Sequence, residues 1–502
     1  MNFRGNSIRL SLAVCFALVS TSIPTLITPL AVHAVSDDKG SAHKEFERYE
    51  REIPELMRKG EVPGLSIAVV RKGKIVWDNA FGVTNVETKT PVEADSVFEA
   101  ASLSKPVFGY MVLKLVDQKK IDLDTPLSTY LPGSYDVGDD ARLSKITARR
   151  VLSHTTGFPN WRPNGSKTLA IHFPPGDRFS YSGEGFVYLA RAVEQVTGEP
   201  FERTAERLVF EPLGMDQSSY SWKPDYDEKM VTRHDMTGSP SGQNRESEGN
   251  PAASLRTTAR DYARFVCAIL EGKGLSKQSH EMMLTPQIHV DSSCVVCVDR
   301  PEGTRSTQIS WGLGWGLIES AEGRSFWHWG DNGNSKAFVV ANTGSRDGFV
   351  MFANSTYGLS IVEDLYRMVF DHDQPVIAWI QEERYDSPYR TFFRQIVSDG
   401  AAQTIRAYRS SREKTPSMQI TESRMNTIGY VLMRMKRLDD AILVFQLNVS
   451  DFPDSFNTYD SLGEAYMNAG KRELAIENYK RSIELNPKNE NGKEMLKRLE
   501  AH

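Results

Sequence analysis

Cysteine is scarce in this chain, with four in 502 residues. Loss of an N-terminal leader would remove Cys15 and leave Cys267, Cys294 and Cys297. That count excludes a disulfide-stapled scaffold. Cys294-Val-Val-Cys297 with His289 offers three zinc donors. A structural site wants four and no second pair is present, so no metal is expected. A local disulfide, or two free thiols in a surface insertion, is the expected state of Cys294 and Cys297. Basic runs are missing as well. Lys and Arg number 60 against 65 Asp and Glu, a formal charge of −5, and they are scattered. Nucleic acid and an anionic membrane surface are therefore not expected as partners.

Long apolar runs are absent except near the start. Arg4 and Arg9 supply a positive region, and residues 10–19 are an apolar stretch of signal-peptide length. Pro24 and Pro29 interrupt it before it reaches the roughly 20 residues a membrane span needs. Val32-His33-Ala34 offers a cleavage point, followed by the polar residues 36–40. Residues 1–34 are expected to be a cleaved signal peptide and the mature chain to be exported, periplasmic or secreted and not transmembrane. An uncleaved anchor is the alternative. Cys15 follows Leu12-Ala13-Val14, a poor lipoprotein signal because the preceding residue is not small.

What is present reads as ordinary globular protein: 40% apolar and 25% charged residues, enough to bury a large core without disulfides or metal. After a polar linker, 35–44, residues 65–70 and 74–81 are β-rich runs split by Arg71-Lys72-Gly73, the pattern of a hairpin. Helical patterns follow at 103–118, with Pro106 in the first turn, and at 186–196 and 258–271. Strand-like runs return at 326–329, 337–341 and 348–353. Strands at both ends around a helical middle predict one α+β domain over 45–372. A linker, 373–390, leads to a different C-terminal region, 391–502.

In that region Met425, Ile428, Gly429, Leu432, Ala441, Phe445 and Pro453 are each matched 34 positions later, by Tyr459, Leu462, Gly463, Tyr466, Ala475, Tyr479 and Pro487. A 34-residue period with small Gly and Ala sites resembles the tetratricopeptide repeat, an all-α array of helix pairs. A degenerate unit is expected to start near Phe392 with Ala407 in register, and residues 492–499 to form a capping helix. The resemblance implies a concave surface for a peptide or partner protein. The alternative is an appendage that shields the first domain or pairs two copies of it.

Chemistry is carried by Ser102-Leu103-Ser104-Lys105, an S-x-x-K motif. Ser36/Lys39, Ser41/Lys44 and Ser411/Lys414 share the spacing. Only Ser102 is expected to open an apolar helix directly after an extended small-residue segment, Phe98-Glu99-Ala100-Ala101. On a helix, residues three apart share a face, so Lys105 would sit over the Ser102 hydroxyl. The helix N-terminus would favour an alkoxide and a neutral amine, and an adjacent base is what activates a serine. Tyr181-Ser182-Gly183 follows the turn Pro174-Pro175-Gly176-Asp177. His328-Trp329-Gly330 ends an aromatic run and opens into Asp331-Asn332-Gly333-Asn334.

In that order the three motifs resemble the serine β-lactamase and penicillin-binding-protein superfamily. The likeness is to its class C branch, with D,D-peptidases, D-aminopeptidases and family VIII esterases. Flanking stretches support it: Val62-Pro63-Gly64, Leu152-Ser153-His154-Thr155-Thr156-Gly157 and Trp311-Gly312-Leu313-Gly314-Trp315-Gly316. The resemblance implies an antiparallel sheet with flanking helices and a helical subdomain, no metal and no organic cofactor. It implies Ser102 as acylated nucleophile, Lys105 and Tyr181 as proton shuttle, and His328 as a hydrogen-bond donor to substrate. The backbone N–H groups of Ser102 and Asp331 would form the oxyanion hole, and Gly330 would let the strand edge approach the substrate. The substrate would be a small molecule or peptidoglycan-like: an ester, a D-amino-acid peptide amide or a β-lactam.

One departure stands out. Gly183 occupies a place where relatives usually carry an Asn that holds the substrate's acylamide. Recognition of a β-lactam or of D-Ala-D-Ala through that amide is therefore not expected, whereas esters and small amides need the contact less. The expectation is a peptidase or esterase rather than an efficient β-lactamase, with Asn160, Asn332 or Asn334 as substitutes for the missing amide. Two other readings are a penicillin-binding sensor with slow turnover, and a repeat-mediated scaffold whose catalytic domain has decayed.

Overall fold

The computed structural model describes residues 38–133, 135–163, 166–291, 294–296, 298, 308–321, 323–373 and 375–501. The expected signal peptide, Cys15 and Cys297 lie outside them. The chain divides between Glu47 and Arg48 into two compact units, and all the elements below except the start of α1 belong to the second. Among the described residues no helix is long and apolar enough to cross a membrane.

The described residues form twelve strands: β1 (Gly64–Arg71), β2 (Lys74–Gly82), β3 (Phe98–Ala101), β4 (Arg233–His234), β5 (Pro240–Ser241), β6 (Leu255–Thr257), β7 (Ile288–His289), β8 (Ile309–Trp311), β9 (Gly316–Ser320), β10 (Gly323–Asp331), β11 (Lys336–Asn342) and β12 (Gly348–Ala353). Eight form one sheet in the order β2-β1-β12-β11-β10-β9-β8-β7, and each neighbouring pair is antiparallel. The expected hairpin is β1–β2. Lys72 (φ 51°) and Gly73 (φ 77°) turn it in the left-handed conformation that two-residue hairpins require. The chain ends of the domain meet in the sheet, because β1 from the start pairs with β12 from the end.

The helices of this region are α1 (Asp38–Gly60), α2 (Ser104–Asp117), α3 (Glu184–Thr197), α4 (Ala259–Glu271) and α5 (Val362–Phe370). Alternation along β12 shows how they cover the sheet. Phe352 packs on Tyr262 of α4, whereas Phe349 packs on Tyr366 of α5. Helix α4 has clear sequence limits: Thr258 caps Asp261 N at 3.1 Å, and Gly272 ends it in the left-handed conformation. The main core joins Val107, Phe108 and Met111 of α2 to Phe186 and Leu189 of α3 and to Phe265 and Ile269 of α4. This is the predicted α+β architecture.

Both segments read as linkers contain helix. Helix α1 begins at Asp38, inside 35–44. Within 373–390 lie α6 (Pro375–Trp379) and the start of α7 (Pro388–Asp399). Polarity hid the first; in the second, Pro375 and Pro388 each stand in a helix's first turn, a place that suits proline.

The C-terminal region continues as α8 (Ala401–Lys414), α9 (Glu422–Arg434), α10 (Leu438–Asp451), α11 (Phe456–Asn468), α12 (Arg472–Leu485) and α13 (Glu490–Glu500). The small-residue sites do what the period predicts. A Cβ on Gly429 would meet Phe445 at 2.4 Å, and one on Gly463 would meet Tyr479 at 3.3 Å. The degenerate unit differs in detail. Ala407 is exposed, and Thr404 and Tyr408 face inward instead. Helix α8 starts early relative to the repeat, which turns Ala407 away from the packing face.

Cys294 is disulfide-bonded, so it has no thiolate to offer the zinc site weighed from sequence. Cys267 is a free thiol.

Candidate active site

Strand β3 leads into Ser102, the expected nucleophile. It ends at Ala101 in the left-handed conformation (φ 48°), which a side chain adopts only when its surroundings hold it there. Ser104 supplies the hold: its hydroxyl donates to Ala101 O at 2.5 Å and accepts from Leu255 N of β6 at 2.9 Å. Ser102 sits on the turn so formed, partly exposed. Helix α2 begins two residues later, at Ser104, not at Ser102 as expected. The i,i+3 relation survives because Lys105 N donates to Ser102 O at 3.1 Å across the turn.

Lys105 is fully buried. Its Nζ lies 3.1 Å from Ser102 Oγ and 2.7 Å from the carbonyl oxygen of Ala252. The Tyr181 ring centroid is 4.6 Å from the same nitrogen. Burial without a carboxylate partner pushes the amine well below its ordinary lysine value. A neutral amine has a lone pair, and the nearest proton available to it is that of the serine.

Burial acts on Tyr181 in the opposite sense and holds its phenol well above the usual tyrosine range, with Ser102 close enough to lower it in part. Tyr181 Oη makes no hydrogen bond of full geometry to the protein. The ring is clamped by aromatic neighbours: His154 stacks on it at 4.2 Å, and Trp329 and His328 lie at 5.0 and 6.0 Å. His154 Nδ1 accepts from Ser182 N at 3.0 Å, which ties the tyrosine motif to the turn before Gly157.

His328 is fully buried on β10 and its pKa is pushed down to about 3, by burial first and by Lys105 second. It is therefore a neutral imidazole. Its Nδ1 bonds the Trp329 carbonyl at 2.7 Å, which places the proton on Nδ1 and leaves Nε2 as an acceptor without a partner. The donor role expected for His328 does not fit this arrangement; Nε2 can take a proton or a hydrogen bond, not give one.

Gly330 has a packing task besides the one expected. A Cβ there would meet Ala100 O at 2.4 Å and Ala101 Cβ at 3.2 Å. The missing side chain lets β10 lie against β3, the strand that leads into Ser102. The Asp331 carboxylate accepts from Gly333 N at 2.7 Å and pairs with Lys336 at 2.7 Å. Lys336 also reaches Glu382, beyond α6, at 3.7 Å.

Gly183 N donates to both the carbonyl and the side-chain oxygen of Asn160, each at 2.9 Å. A Cβ on Gly183 would strike the Trp161 ring at 2.7 Å. Of the three amides considered as substitutes, Asn160 is engaged with Gly183. Asn334 is held by Ser241 and Thr356. Asn332 donates to Glu99 and to Ala253 O at 3.3 and 3.1 Å and, with Trp161, lines a pocket of about 380 Å³.

The structure thus brings Ser102, Lys105, Tyr181 and His328 together, with Gly330 and Gly183 at the margins. Trp161, the carbonyl of Ala252 and the stacking of His154 were not assigned from sequence. His154 stood in a noted flanking stretch. Ala252 carries no side-chain signal, and Trp161 gave only a lone tryptophan after Pro159-Asn160.

Residues 49–374 match the family described as Beta-lactamase, and residues 456–489 match the tetratricopeptide repeat. Protein flp of Staphylococcus aureus (strain MRSA252) is 23% identical over 342 residues, which cover 63% of this chain and 64% of that protein. The chain thus spans under two thirds of that relative's length. Penicillin-binding protein 4 of Amycolatopsis lactamdurans is 26% identical over 333 residues, 62% of this chain and 86% of that one. Among solved structures, the D-alanine carboxypeptidase AmpC from Burkholderia cenocepacia superposes with a TM-score of 0.55 at 20% identity. That match covers 66% of this chain and all of the other, and it carries the fold alone.

Proposed function

The chain belongs to the beta-lactamase family, and from that premise we propose that it is an exported serine hydrolase working through an acyl-enzyme on Ser102. Its substrates are esters or D-amino-acid peptide amides in preference to β-lactams. The observation that carries this reading is Lys105, a fully buried amine 3.1 Å from the Ser102 hydroxyl whose pKa burial lowers well below the ordinary lysine value.

In the first step the Ser102 Oγ–carbon bond forms as the serine proton passes to Lys105 Nζ. The oxyanion is held by the backbone N–H groups of Ser102 and Asp331, a contribution often worth about 3 kcal/mol per donor. The bond to the leaving group breaks as that group takes a proton through Tyr181, which burial keeps as a neutral O–H. Water then attacks the acyl carbon, gives its proton to the same relay, and Ser102 leaves with its hydroxyl restored. Neutral His328 leaves Nε2 free to accept a hydrogen bond from substrate or water at the edge of this relay.

The ranking against β-lactams rests on Gly183, which offers no side-chain amide, and on the engagement of Asn160 and Asn334 elsewhere. A D-alanine carboxypeptidase is among the structural neighbours, but Gly183 weakens recognition of an acylated D-Ala-D-Ala end as much as of a β-lactam. The amide to try is therefore a small one without an acylamino group, D-alanine p-nitroanilide. Release of p-nitroaniline or p-nitrophenol by the wild type but not by Ser102→Ala supports the reading; equal rates in both exclude it.

A second reading, a slow-turnover sensor whose repeats bind a peptide or protein, draws on three ion pairs. Lys336 pairs with Asp331 at the site and reaches Glu382, while Arg424 of α9 pairs with Glu383 at 3.3 Å. An adduct that outlives many catalytic cycles marks this reading; rapid loss of the adduct marks the hydrolase.

A further inference from the structure

Three of the tryptophans, Trp311, Trp315 and Trp327, are fully buried. Trp161 is 44% exposed, so the core does not account for it. Its ring centre lies 5.7 Å from Lys105 Nζ, and its edge covers the α-carbon of Gly183.

The residues on either side are pinned. The Asn160 carbonyl accepts from Gly183 N and Glu184 N, both at 2.9 Å. Arg162 donates to the buried Glu184 carboxylate at 2.6 Å and to Asp136 at 2.8 Å. Trp161 is thus fastened at both flanks to the start of α3. It faces the pocket that Asn332 and Ala253 line from the opposite side, and the neighbouring Ala252 carbonyl holds the catalytic amine.

In the conformation seen here, the indole occupies the space that a side chain at position 183 would need. An added Cβ would stand 2.7 Å from one ring carbon and 2.8 Å from the next, closer than any real contact. The glycine is therefore the partner of the tryptophan: an amide anchor has been exchanged for an aromatic wall.

We propose that Trp161 determines the acyl specificity of the site, stacking flat, apolar acyl groups beside Ser102 and excluding those that depend on an amide at position 183. This deepens the reading of Ser102 as the nucleophile and rests on it. An aromatic face prefers a ring to a methyl group, whereas an acylamino side chain would leave its amide unpaired against the indole.

Two p-nitrophenyl esters with one leaving group, phenylacetate and acetate, read the wall directly. Trp161→Ala is expected to lower the phenylacetate-to-acetate ratio of kcat/KM about tenfold, the scale of one well-placed apolar contact. Trp161→Ala/Gly183→Asn is expected to be acylated by benzylpenicillin faster than either single variant, because only the double variant has both the amide and room for it. An unchanged ester ratio in Trp161→Ala overturns the inference. Equilibrium binding of phenylacetate to Ser102→Ala needs no chemistry, and a further Trp161→Ala change is expected to weaken it about tenfold. Trp161-dependent binding by a chain that never acylates would overturn the hydrolase reading alone. Acylation with a Trp161-independent ratio would overturn this inference alone.

Discussion

The imidazole of His154 stacks on the phenol of Tyr181 with ring centres 4.2 Å apart and planes 25° from parallel. His154 is held in turn by Ser182 N and lies in the left-handed conformation (φ 55°). Burial pushes its pKa well down, so a neutral ring faces the phenol. An imidazolium there would favour phenolate; a neutral ring leaves the phenol protonated. This stacking assigns the two shuttling residues different tasks, with Lys105 taking protons and Tyr181 passing them on.

The division of labour has a kinetic signature. Lys105→Ala is expected to lower the acylation rate by roughly a hundredfold or more, the usual scale of general-base help. Tyr181→Phe keeps the ring and its stacking and is expected to cost well over about tenfold, most with poor leaving groups that need a proton. Stopped-flow acylation by a p-nitrophenyl ester and by an anilide separates the two effects. A near-wild-type rate for either variant removes that residue from the mechanism.

The pH profile follows from the same burial. Lys105 must be unprotonated to act, and its pKa lies well below the ordinary lysine value. Activity is therefore expected to appear at a pH well below the ordinary lysine value of about 10.4 and to be lost as pH falls through the lowered value, with no second rise at the ordinary one. His328, pushed down to about 3, contributes no step near the usual histidine value of about 6.5. A profile of kcat/KM for a small ester checks both, and a rise centred near the ordinary lysine value contradicts the assignment.

Gly330→Ala tests how the nucleophile is seated. The added methyl would lie 2.4 Å from Ala100 O, so β10 and β3 must separate. The expected cost is about 1–3 kcal/mol of stability, read as a fall in Tm, together with a loss of acylation.

The repeats offer a paired test. Gly429→Ala would drive a methyl to 2.4 Å from Phe445, whereas Gly463→Ala leaves 3.3 Å to Tyr479. The first is expected to destabilise the C-terminal region by about 1–3 kcal/mol. In the second the roughly 1 kcal/mol that alanine gains over glycine in a helix offsets the tighter contact, and a net change of under about 1 kcal/mol is expected. Chemical denaturation followed by circular dichroism compares them.

Much of this was legible in the chain because local chemistry and tertiary fold agree there. Residues 348–353 read as a strand and are β12. The 34-residue period placed Gly429 and Gly463 opposite Phe445 and Tyr479 before any helix was drawn. What failed depended on space rather than on pattern. The start of α2 moved to Ser104 because the Ser104 hydroxyl ties the preceding turn to β6, a contact about 150 residues away in sequence. The role of His328 reversed because one carbonyl, that of Trp329, fixes its tautomer. Gly183 was noticed as a departure, but its reason, the ring of Trp161, lies on a different loop.

The most direct test of the central claim is intact-protein mass spectrometry of the chain incubated with a p-nitrophenyl ester or a fluorescent penicillin, beside Ser102→Ala. A mass increase equal to the acyl group, present in the wild type, absent from the variant and lost with time, is the predicted result. A mass increase that persists in Ser102→Ala, or none with either probe while the ester is still turned over, would contradict Ser102 as the acylated nucleophile.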